Sequence, residues 1–323
     1  MKRPAAPLIA PPRGIVGRIA YLWFKALMKV VAIFERVCGP GVLPTLMLPR
    51  AVYDYAKWQR EYPQFVQLRG SLPASVWNGV GAQAHMWKVS RNWNENLAVM
   101  YFYNRLGLPY WRERFTVKGT SPQQLPEWGK RPVVIAFLHT GTFALLRFWL
   151  RSQGVPAASL IAGLPAYAKM HEPILEAGDR LYGLEGVPHA FQAPRGLRES
   201  VDFLTPGHAL AVALDGRGGD LNAPGFTVGE YPIRVMEGAA RIAARTKSLL
   251  ISASMRRTAG CRYEVAFGPP VPDELLQKQD FHGATQVLLD QLWEDLKKDP
   301  CELNWTSLVA VSPPQWRKRP SWP

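Results

Sequence analysis

Cysteine is nearly absent from this 323-residue chain: Cys38, Cys261 and Cys301 are odd in number, widely spaced and form no CxxC pair. That usage excludes a disulfide framework and a cysteine-based zinc site, and it fits a reducing cytoplasm. Acidic residues are scarce relative to basic ones, 25 Asp and Glu against 39 Lys and Arg, for a formal net charge of +14. Such a surplus predicts an anionic partner: nucleic acid, an anionic bilayer surface, or an acidic substrate or carrier. Several signatures are also missing. No G-x-S-x-G marks a serine hydrolase. The run DGRGGD (215–220) fits neither the phosphate-loop nor the dinucleotide fingerprint, and His171, His189 and His208 lack metal-ligand spacing. Lys2 and Arg3 are followed by no compact apolar run with a small-residue cleavage site, so no secretory signal is expected.

What is present begins with residues 14–37, an apolar helical pattern bearing Arg18, Lys25, Lys29 and Arg36. At about 100° per residue these four cations fall within roughly 20° of one line along the helix. Two lysines near the middle make a membrane span costly, whereas a helix lying in the interface sinks its apolar arc and turns its basic line to anionic head groups. Gly and Pro then break the pattern over 38–49 while the chain stays apolar. We expect 1–49 to be a membrane-associating helix and linker, and 50–323 a single α/β domain.

Residues 50–106 have a mixed helical pattern with a break near 70–73, and the polar, Pro-rich stretch 115–131 has the composition of a loop. From 132 onward strands and helices alternate. PVVIAFLH has the nearly continuous apolar, β-branched character of a strand buried on both faces. AASLIAG (157–163), HALAVALDG (208–216), LLISASMRR (249–257) and RYEVAFGPP (262–270) are further strands. Helices are expected over 140–154, 196–207, 238–248 and 281–299, with Thr140 or Thr142 capping the first. Alternation of this kind predicts a mixed, mostly parallel sheet covered by helices on both faces.

Reactive groups in such sheets collect where strands end and helices begin. His139 lies there, at the carboxyl end of PVVIAFLH. A neutral imidazole so placed can take a proton from a hydroxyl or amine attacking a carbonyl, and amides at the start of the next helix are positioned to meet developing negative charge. Arg147 and Arg151 follow one helical turn apart; they form either a phosphate-binding pair or a solvated basic face. Arg217, on the turn after Asp215, is a further candidate for binding phosphate or carboxylate.

FLHTGTF, followed by a basic amphipathic helix, resembles the first block of the lysophospholipid acyltransferase superfamily, with the bacterial lipid A late acyltransferases as the most similar branch. Further blocks follow in the same order: YAKMHEPILEAGDR ending at Arg180, GLRESVDFLTPGHALAVALDG containing Asp215, EGAARIAARTKSLLISA, and DPCELNW. The resemblance covers roughly residues 80–305. It implies transfer of an acyl chain from acyl carrier protein or acyl-CoA to a lipid acceptor at the cytoplasmic face of the inner membrane. It further implies His139 as general base, Arg180 as a ligand for an anionic group or an organiser of the site, and no metal or other cofactor.

The sequence departs from that pattern at one place. The family sets Asp or Glu five residues after the His to orient the imidazole; here that residue is Ala144. Three expectations stay open. Asp215, or less favourably Asp179 or Glu237, substitutes for the acid; His139 works unassisted; or the domain keeps only lipid or carrier binding. Nucleic acid is disfavoured as a partner, because the aromatics cluster with aliphatics and form no basic–aromatic stripe.

Overall fold

The computed structural model describes residues 42–161, 175–216, 223–258 and 262–311, with single positions between 26 and 39. Among the continuously described residues, the helices before the sheet are α1 Leu43–Leu46, α2 Leu48–Trp58, α3 Tyr62–Arg69, α4 Ala82–Phe102 and α5 Leu108–Arg114. Then follow β1 Phe115–Lys118, β2 Val133–Phe137, α6 Leu145–Ser152, β3 Ala157–Ile161, β4 Ala190–Gln192, α7 Leu197–Phe203 and β5 Ala209–Ala213. The remainder is β6 Gly225–Val228, β7 Tyr231–Arg234, α8 Gly238–Thr246, β8 Leu249–Thr258, β9 Arg262–Phe267, α9 Asp273–Gln277, α10 Phe281–Leu296 and α11 Trp305–Val311.

Seven strands form one sheet in the order β1-β9-β8-β2-β5-β3-β4. All neighbours run parallel except β8 and β9, which are antiparallel. The expected mixed, mostly parallel sheet is therefore present, with β2 and β5 at its centre. Along β2, Val134, Ala136 and Leu138 enter one apolar core with α8 and α10, while Val133, Ile135 and Phe137 enter the opposite core with α4, α5 and α6. Alternation of side chains across the strand thus explains why PVVIAFLH is apolar at every position: both faces are buried.

Several elements differ from the sequence expectation, among them helices α9 and α11, which the sequence pattern does not predict. The loop expected over 115–131 begins with edge strand β1, whose burial alternates only weakly because just Phe115 is buried. The three-residue edge strand β4 and the small hairpin β6–β7 are likewise additional; all three are too short to carry a periodic signal. The helix expected from Thr140 starts only at Leu145, after a tight turn, and Ala144 occupies its N-cap without a side-chain cap. The expected domain boundary at 49/50 falls in the first turn of α2, and Met47 just before it is buried against the core of α4 and α6. Most of the 14–37 helix lies outside the described residues.

His85 of α4 ties this helix to the C-terminal region. Its ring is fully buried between Phe65 and Trp77, and Nε2 donates to Leu303 O at 2.8 Å. Burial is the main cause that lowers its pKa to about 4. The unfolded imidazole protonates near 6.5, so the fold loses stability as pH falls from there towards 4. Between pH 7 and pH 5 this share amounts to about 2 kcal/mol. Urea unfolding of His85→Gln should therefore show a pH 7-to-5 loss smaller than wild type by that amount; equal losses would show that His85 charges as readily folded as unfolded.

Candidate active site

The parallel pairing of β2 and β5 aligns Phe137 with Ala213, and Leu214 N donates to Phe137 O at 2.9 Å. Two residues beyond the aligned pair, on each strand, stand His139 and Asp215. The register alone therefore delivers an imidazole and a carboxylate to the same point at the carboxyl edge of the sheet. His139 Nδ1 lies 2.7 Å from Asp215 Oδ1, and the His139 backbone N–H donates to both carboxylate oxygens at 3.2 and 3.0 Å. Asp215 is fully buried, whereas the His139 side chain keeps 22% exposure, so an outside molecule reaches the pair through the ring.

A third group completes the cluster. Ser307 Oγ of α11 stands 2.5 Å from Asp215 Oδ2 and 2.9 Å from His139 O. Its single hydroxyl proton serves one acceptor at a time. Burial by itself would raise the Asp215 pKa; the His139 ring, its hydrogen bonds and the Ser307 hydroxyl outweigh this and hold the carboxyl below its usual value. The aspartate is thus a carboxylate, with Nδ1–H of His139 as donor. Among the described residues, Nε2 of His139 has no hydrogen-bond partner.

The turn behind the imidazole is pinned by the chain that precedes α11. Asn304 N donates to His139 O at 3.2 Å, Gly141 N donates to Glu302 O at 2.8 Å, and Thr140 bridges to Leu303. Gly141 has φ +53°, and a Cβ there would press on Met255 O and come within 2.5 Å of Glu302 Oε2. The same turn uses up the amides expected to meet negative charge: Thr142 N donates to Met255 O and Phe143 N to Thr140 O. That expectation is corrected, because these donors are spent inside the turn. Phe143 packs edge-on against His139 at 4.6 Å, and Phe137 lies 5.9 Å from it, giving the imidazole an apolar surround.

Of the carboxylates weighed for His139, the structure brings only Asp215 to it. Asp179 holds Arg151 and His189, each at 2.7 Å, and Glu237 pairs with Arg241 at 2.6 Å. Of the two alternatives open for Arg147 and Arg151, the solvated face is not seen, and the two guanidinium groups form no free phosphate-binding pair. Arg151 is fully buried, and Arg147 donates to His189 O at 2.9 Å while its guanidinium lies over the Phe148 ring. Burial, with Arg151 nearby, lowers the Arg147 pKa to about 10. These contacts do not join Arg147 to His139 or Asp215. Arg180 is exposed, and Arg217 lies outside the described residues. Ser307 was invisible to sequence reasoning: it follows the DPCELNW block by two positions, and nothing in its neighbours signals a role. Among the described residues, no three His, Cys, Asp or Glu side chains are placed to hold a metal ion.

Compared with protein-family models and with curated proteins, the chain matches none.

Because Gly141 combines a left-handed backbone with closely packed neighbours, Gly141→Ala should cost about 1–3 kcal/mol. Thermal or urea unfolding checks this; wild-type stability would mean that the turn carrying His139 relaxes freely.

Proposed function

We propose that the protein is an acyltransferase that moves a fatty acyl chain from acyl carrier protein or acyl-CoA to a hydroxyl or amine of a lipid acceptor at the cytoplasmic face of the inner membrane. The single observation that carries this reading is the His139–Asp215 pair, in which the carboxylate absent at position 144 is supplied from the adjacent strand. Asp215 accepts a hydrogen bond from Nδ1–H and so leaves the Nε2 lone pair as base. Nε2 removes the proton of the acceptor as its oxygen or nitrogen forms a bond to the thioester carbonyl carbon. Collapse of the tetrahedral adduct breaks the carbon–sulfur bond, and the departing thiolate takes the proton back from the imidazolium. Asp215 stabilises the cation in between without itself becoming protonated.

Two further features support a lipid setting. The apolar rings of Phe137 and Phe143 beside the imidazole suit an acyl chain. In the N-terminal stretch Val30, Ile33, Phe34 and Val37 recur at helical spacing and are exposed, as are Lys29 and Arg36. An apolar face bordered by cations is what an anionic bilayer surface binds. Among the described residues no helix is long and apolar enough to cross a membrane. Arg180 and Arg217 remain the proposed ligands for anionic substrate groups, whereas the half-buried setting of Arg147 makes it the weakest of the three.

Protein in mild detergent, given long-chain acyl-CoA or acyl carrier protein and a bacterial lipid extract, should release thiol and form acylated lipid detectable by mass spectrometry. His139→Ala should abolish product, and Asp215→Asn should lower the rate by about 10⁴, as in triads that lose their orienting acid. Near-UV circular dichroism confirms that the Asn variant is folded. Absence of thiol release with either donor, from protein that still binds vesicles, would favour a non-catalytic lipid- or carrier-binding role.

A further inference from the structure

Beside the His139 turn opens a cleft of about 340 Å³, counting its mouth, whose walls the acyl-transfer chemistry leaves unassigned. One side is a face of α4, with Asn92, Trp93 and Asn96 within a single turn; Trp58 of α2, Phe143 and Glu302 supply other walls. Phe143 is shared, because it touches both the cleft and the His139 ring.

Asn96 is the anomaly. It is 95% buried, being only 5% exposed, yet neither its amide nitrogen nor its carbonyl oxygen has a hydrogen-bond partner. Its neighbours on the helix each use their amide nitrogen: Asn92 donates to Glu302 Oε2 at 2.8 Å, and Asn94 donates to Asp54 and Ser90 O, leaving only its own Oδ1 unpartnered. Burying an unpaired carboxamide destabilises a fold, and buried polar groups are otherwise nearly always satisfied. A carboxamide kept here presents both a donating NH2 and an accepting oxygen to whatever enters the cleft. The entrant is uncharged: the Glu302 carboxylate in the wall is already paired with Lys88 at 2.7 Å, which leaves no free charge there to hold an ion of either sign. The indole and phenyl walls favour an apolar stem.

We propose that this cleft is a binding subsite for an uncharged hydroxyl or secondary amide of a substrate, recognised by the Asn96 carboxamide. The proposal rests on the acyl-transfer reading for the two sources of such a group: the pantetheine arm of the thioester donor, or the head group of the acceptor.

Calorimetric titration of the full chain in detergent with D-pantetheine, with N-acetylglucosamine and with acetate tests it, alongside ligand-free melting of Asn96→Leu and Asn96→Asp. Leu matches Asn in shape and removes the unpaired polar atoms. Asn96→Leu should therefore melt no lower than wild type while binding a neutral probe at least tenfold more weakly. Asn96→Asp should lose the probe as well, by setting a second carboxylate near Glu302, and acetate should not bind. Pantetheine as the bound probe assigns the cleft to the donor; N-acetylglucosamine assigns it to the acceptor. Failure of both neutral probes, undiminished binding to Asn96→Leu, or a lowered melting point in that variant would overturn the proposal, the last by showing that the carboxamide holds the fold. Because binding and melting are read without turnover, this result is separable from that of the thiol-release assay.

Discussion

The buried negative charge of Asp215 is the constraint around which the centre of the molecule is arranged. A carboxylate with no exposure is tolerable only when its oxygens are met by donors, since an unpaired ion in this position costs several kcal/mol. The donors come from two places in the chain: a ring N–H and a backbone N–H from the end of β2, and a hydroxyl from α11. Meeting that charge therefore fastens the middle of the sheet to the C-terminal helix. The same donors keep the group ionised against the effect of burial, so what stabilises the buried charge also fixes the His139 ring through its Nδ1–H.

The surrounding packing makes this arrangement rigid. β2 and β5 are covered on both faces by separate apolar clusters, and a one-residue slip between them would misplace each side chain and separate the imidazole from the acid. Gly141 lets the chain turn sharply enough for Glu302, Leu303 and Asn304 to grip the loop from outside. His85 donates to Leu303 O, so the segment that pins the His139 turn is itself tied to α4.

Much of this was legible in the amino-acid order. PVVIAFLH and HALAVALDG are apolar throughout because each is an interior strand, and the residues that end them, His139 and Asp215, were identifiable for the same reason. The edge strands β1 and β4 escaped notice because a strand with one neighbour and little burial needs no apolar pattern. For Arg147 and Arg151 the sequence leaves a phosphate-binding pair and a solvated face equally open, since spacing shows which residues share a side of a helix but not what that side meets. The spending of the turn amides on Met255 and Thr140, and the contribution of Ser307, depend on how distant segments meet, and local pattern does not encode that.

One consequence concerns biosynthesis. Synthesis proceeds from the N-terminus, and domains take shape as their segments emerge. His139 and Asp215 leave the ribosome well before the hydroxyl that completes the set of donors, because Ser307 lies 92 residues after the acid. Until that helix docks, the carboxylate is short of a partner and the loop bearing the imidazole lacks its outer grip. The His139–Asp215 pair is thus completed late: a nascent, half-built polypeptide lacks the third donor to the buried acid.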